Sequence, residues 1–83
     1  MMASERIRVG EEAYGVVARV EGEYRSDRVF GAMRLHQRMR EKGRTSEVVE
    51  EDDGAVSVRV HLGDASESAF EEAAGDLLEA AGS

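Results

Sequence analysis

Eighty-three residues suffice for one small domain, and 11 Lys plus Arg against 18 Asp plus Glu give a formal net charge of -7. The absence of cysteine excludes disulfide frameworks and thiolate metal sites. A hydrophobic share of 41% with no proline argues against a disordered or fibrous chain.

No apolar run approaches the roughly 18 residues of a membrane span, and Ser4-Glu5-Arg6 does not open a signal peptide. One soluble, cytoplasmic domain over 1-83, without membrane association, is therefore expected. In chain order, Arg6-Ile7-Arg8-Val9 alternates polar and apolar as a short strand does, with Gly10-Glu11-Glu12-Ala13 as its connection. Tyr14, Val16, Ala18 and Val20 then alternate with Val17, Arg19, Glu21 and Glu23, the clearest period-two pattern in the chain. Merging residues 11–24 into a helix is the main competitor, and the strict alternation argues against it. Ser26 or Asp27 is the expected N-cap of a helix. Steps of about 100° from Arg28 gather Val29, Ala32, Met33, Leu35 and Met39 on one arc, with Arg34, Arg38 and Lys42 on the other side. Gly43 stops that helix behind a cationic last turn, where the helix dipole favours positive charge.

The second half follows the same plan. Glu47 to Glu51 reads as a weak strand, Asp52-Asp53-Gly54 as a turn, and Val56, Val58, Val60 and Leu62 as the inward face of a strong strand. Asp64 with Glu67, or Ser66 alone, caps a closing helix. Its apolar arc is Phe70, Ala73, Ala74, Leu77, Leu78 and Ala81, with Glu72, Asp76 and Glu79 opposite. A gapless shift of 40 positions aligns Val9 with Val49, Glu11 with Glu51, Val16 with Val56, Arg19 with Arg59, Val20 with Val60, Ser26 with Ser66 and Phe30 with Phe70. The expected fold is α+β, in the order ββαββα. It has a four-stranded, mainly antiparallel sheet with two helices on one face and an internal pseudo-twofold repeat of halves about 5-43 and 45-82.

The net charge conceals an uneven distribution. Residues 1–24 sum to about -2, residues 25–44 to about +5, and residues 45–83, where Arg59 alone opposes the carboxylates, to about -10. Adjacent helices of opposite sign attract along their flanks, worth a few tenths of a kcal/mol per exposed pair, on the order expected for surface ion pairs. The rows Arg34, Arg38 and Lys42 are expected to face outward and to remain available to a partner.

Chemistry-bearing motifs are scarce. His36 lies near the centre of the first helix's apolar arc, where a core-edge histidine with one hydrogen bond is expected. His61 points to the open sheet face beside Arg59, and no ligand spacing links the two histidines, so no metal or other cofactor is expected. Ser26, Ser46, Ser57, Ser66 and Ser68 fall at caps, turns or strand surface, and no nucleophile elbow or phosphate loop occurs. Glu50-Glu51-Asp52-Asp53 lacks the spacing of an EF-hand. The chain is expected not to be an enzyme.

The open face, with Arg6, Arg8, Arg19, Arg59 and His61 among Glu21, Glu23, Val17, Ala55 and Ser57, suits either a phosphate backbone or a self-complementary contact. The leading expectation is a small interaction or assembly module, homodimeric or a subunit of a larger complex, because a thin core gains stability by association. An alternative is a nucleic-acid-binding accessory protein using Arg34, Arg38, Arg40, Lys42 and Arg44, or Arg19, Arg59 and His61 on the sheet. A second alternative is an acidic decoy whose carboxylate-rich half occupies a basic partner.

Overall fold

A computed structural model describes residues 7–12, 15–63 and 66–82. The elements run β1 (Ile7–Glu12), β2 (Gly15–Val20), α1 (Arg25–Glu41), β3 (Ser46–Glu50), β4 (Val56–His61) and α2 (Glu67–Gly82). All four strands form one sheet in the order β1-β2-β4-β3, and every pairing is antiparallel. The fold is thus α+β with the expected ββαββα order. Arg6, Tyr14 and Asp64, which carried expectations of their own, lie outside the described residues.

The alternation in β2 and β4 builds the centre. Val16, Ala18 and Val20 pair with Val60, Val58 and Val56, and all six are buried on the face covered by the helices. Ala32, Leu35 and Met39 of α1 and Ala73, Leu77 and Ala80 of α2 close over them, with Ile7 added from β1. Four of these thirteen core residues are alanines, so the core is thin for its sheet. Each helix crosses to the other hairpin. α1 follows β2 but packs mainly on β3 and β4, while α2 follows β4 and packs on β1 and β2.

Several local expectations need correction. Gly10, Glu11 and Glu12 continue β1 rather than forming the connection, because they pair with Val17, Val16 and Gly15. Tyr24, extended at φ -107°, occupies the N-cap of α1 without a side-chain hydrogen bond, so neither Ser26 nor Asp27 caps it. Met33 is exposed rather than buried, and so is Leu78 of α2. The buried arc of α1 is instead turned toward α2, drawing Arg28 and Arg38 into half-buried positions.

The caps at the other termini follow the sequence. Gly43, at φ 81°, lets the Arg44 N–H reach the Met39 carbonyl at 3.0 Å and its own N–H reach that of Arg40 at 2.9 Å, a Schellman ending. Ser66 Oγ accepts from the Ala69 N–H at 3.2 Å and so caps α2. Gly54, at φ 88°, completes a three-residue hairpin loop between β3 and β4, closed by Glu51 N–H to Ala55 O at 2.8 Å.

The strand order and the β2–β4 register are compatible with a forty-residue shift, since Val16↔Val60 maps onto Val20↔Val56. The outer strands are not. Val9 shares the helix-covered face with Ile7, whereas Val49 lies on the open face opposite Ser57. Phe70 is half-buried and Phe30 exposed. An internal repeat is therefore not established.

Candidate functional site

The cationic helix spends much of its charge inside the molecule. Arg38 donates through Nη1 to the Ala80 carbonyl at 3.0 Å. Lys42 Nζ lies 3.2 Å from Glu79 Oε1, and Arg44 Nε 2.6 Å from Asp76 Oδ2. The expectation that Arg38 and Lys42 face away from the protein is therefore corrected: both reach across to α2, because the two helices lie side by side on the sheet. Arg34 and Arg40 are exposed and make no ion pair among the described residues. Arg25 closes on Glu50 through both Nε and Nη2, and that hydrogen bond together with the carboxylate charge raises its pKa above the ordinary arginine value.

On the open sheet face, Arg8 and Arg19 are direct cross-strand neighbours. Arg8 pairs with Glu21 at 3.0 Å, while Arg19 has no ion pair among the described residues. A shallow depression of about 270 Å³ beside them is lined by Arg8, Val9, Gly10, Glu11, Val17 and Arg19. Glu47 lies against two further side chains of this face, with Arg59 Nη1 at 3.3 Å and His61 Nε2 at 3.5 Å. Ala55, expected here, is the closing residue of the hairpin loop, just ahead of β4. His36 is half-buried, its Nδ1 2.7 Å from Ser46 Oγ. Among the described residues no three His, Cys, Asp or Glu side chains are grouped to hold a metal ion. No described helix is long and apolar enough to cross a membrane.

Two features escape the sequence patterns. Arg28 is a structural tie: Nε donates to Gly54 O at 3.1 Å, and Nη1 to Gly22 O at 2.9 Å and to Glu23 O at 3.4 Å. The second is apolar. Tyr24, Phe30 and Met33 are 63%, 69% and 59% exposed on or beside α1, and Val48 of the neighbouring edge strand is 37% exposed. The sequence signals for this surface are two aromatics, Tyr24 and Phe30, flanking the charged run Arg25-Ser26-Asp27-Arg28.

Among the described residues no strand pairs with the outer edge of β3. Thr45 O accepts from His61 N–H, and Glu51 N–H donates to Ala55 O, so these odd-numbered residues turn their backbone groups toward β4. By the alternation of an antiparallel ladder, Ser46, Val48 and Glu50 turn theirs to the free edge. No protein-family model matches this chain, and no curated protein or solved structure matches it either.

Proposed function

We propose that this chain is a non-enzymatic interaction and assembly module of the cytoplasm, working as a homodimer or as a subunit of a larger complex. The observation that carries the reading is the apolar group Tyr24, Phe30 and Met33, left more than half exposed by a protein whose own core is thin. Isolated apolar residues on a surface are ordinary, but Phe30 and Met33, three positions apart on one helix with exposed Tyr24 at its start and Val48 on the neighbouring edge strand, favour a contact surface. The test is the size of the protein in an extract of its native host. It should elute well above the mass of one chain, and Phe30→Glu should return it to that mass. Elution as a single chain, with or without the substitution, overturns the reading.

A nucleic-acid role draws support from Arg19, which stands beside Arg8 over an open depression without an ion pair among the described residues. Its helix version is poorer, since Arg38, Lys42 and Arg44 already serve α2. Anisotropy titration with DNA and RNA decides it: phosphate contacts must weaken steeply with added salt, and no binding at low salt ends it. The acidic decoy loses surface for the same reason, because Asp76 and Glu79 are held by Arg44 and Lys42.

A further inference from the structure

We infer that the free edge of β3, with the outer flank of α1 beside it, receives a second copy of this chain across a twofold axis at Val48. This rests on the assembly reading and names the partner of the same surface. The two β3 strands then run antiparallel, and the two sheets join into one of eight strands.

Three observations converge on a self-contact. The backbone N–H and C=O groups of Ser46, Val48 and Glu50 face outward, so a twofold at Val48 places Val48 opposite its own copy and Ser46 opposite Glu50. The strand's carboxylates are already engaged within the chain: Glu47 lies against Arg59 and His61, and Glu50 against Arg25. Two copies therefore meet without the like-charge repulsion that the sequence Ser-Glu-Val-Val-Glu would otherwise impose.

The helix supplies charge complementarity. His36 bonds Ser46 and Arg25 bonds Glu50, so α1 runs antiparallel to β3. The same axis therefore brings two α1 helices together antiparallel, with exposed Met33 and Phe30 near the crossing. Arg40 lies in the last turn of α1 on the flank of His36 and Arg25, which reach β3, whereas Glu23 stands just before the helix. Neither has an ion pair among the described residues. In the antiparallel pair Arg40 of each helix lies toward Glu23 of the other, and the helix dipoles oppose as well. The β1 edge offers less, since only Leu78 is exposed among the large apolar residues of α2, which packs on β1 and β2.

The experiment uses the purified full chain in sedimentation equilibrium over a wide concentration range. The expected mass is that of two chains, and Val48→Lys and Met33→Glu each weaken the dimer at least about tenfold, the scale of an interface hot spot. Both positions are exposed, so circular dichroism stays that of the parent. Leu78→Lys and Arg19→Glu, on other surfaces, leave the dimer intact. Val48→Cys gives the chain its single thiol. A hydrogen-bonded antiparallel pair, with Cα atoms about 5.5 Å apart, lies within disulfide range, so oxidation should cross-link two chains.

A dimer that survives Val48→Lys and Met33→Glu, or one that Leu78→Lys dissociates, overturns the β3 interface and leaves the assembly reading standing. A purified chain that stays single at every concentration overturns self-docking. The assembly reading then stands or falls on the native-extract measurement alone.

Discussion

The Arg38 guanidinium donates a 3.0 Å hydrogen bond to the backbone oxygen of Ala80, in the last turn of α2. Terminal carbonyls of a helix have no partner of their own and carry its negative pole, so a cation from the neighbouring helix satisfies both needs. α2 has no basic residue in its last turn, and α1 supplies one. Replacing Arg38 with Met keeps the stem and removes the donor. It should cost about 1–2 kcal/mol in urea unfolding, the scale of a hydrogen bond from a charged group.

Arg28 presents a different arithmetic. One side chain holds three backbone oxygens, of Gly54, Gly22 and Glu23. A lysine has the charge but not the forked donors, so Arg28→Lys should recover little of the loss in Arg28→Ala. The loss is expected near about 2 kcal/mol, measured as a drop in denaturation midpoint at unchanged slope.

Gly15 is set by close approach. A Cβ there would stand 2.0 Å from the Val60 carbonyl oxygen, in the central β2–β4 ladder. Gly15→Ala should therefore destabilise the protein by more than about 3 kcal/mol or prevent folding. Gly10→Ala, whose Cβ meets nothing within 4 Å, is the matched control and should cost less than about 1 kcal/mol.

Gly75 is the opposite case. It lies exposed inside α2, and an added Cβ meets nothing within 4 Å. Alanine is favoured over glycine in a helix interior by about 1 kcal/mol. Gly75→Ala should raise the melting temperature by about 4–8 °C in a domain of this size.

The period-two patterns carried the architecture because strands covered on one face leave a strong signal: Val16, Ala18 and Val20 against Val56, Val58 and Val60. The helix stop at Gly43 and the turn at Asp52-Asp53-Gly54 were legible for similar reasons, as both need a residue that accepts positive φ. The orientation of α1 was not legible. Its aliphatic residues span a wide arc, and the choice between burying Met33 and drawing Arg28 and Arg38 inward depends on where α2 lies. The same information was missing for the candidate surfaces. Composition shows opposite charges in the two helices, but only the crossing of the helices decides that Lys42 and Arg44 meet Glu79 and Asp76 while Arg34 and Arg40 do not.

The exchange of helices between the hairpins has a consequence for how the chain acquires its structure. When α1 has left the ribosome, the strands it must cover, β3 and β4, are still to be made. The first hairpin in turn waits for α2, which comes last. Neither helix mainly covers the hairpin that precedes it, so unfolding followed by different probes is expected to coincide in one two-state transition, as in most small domains.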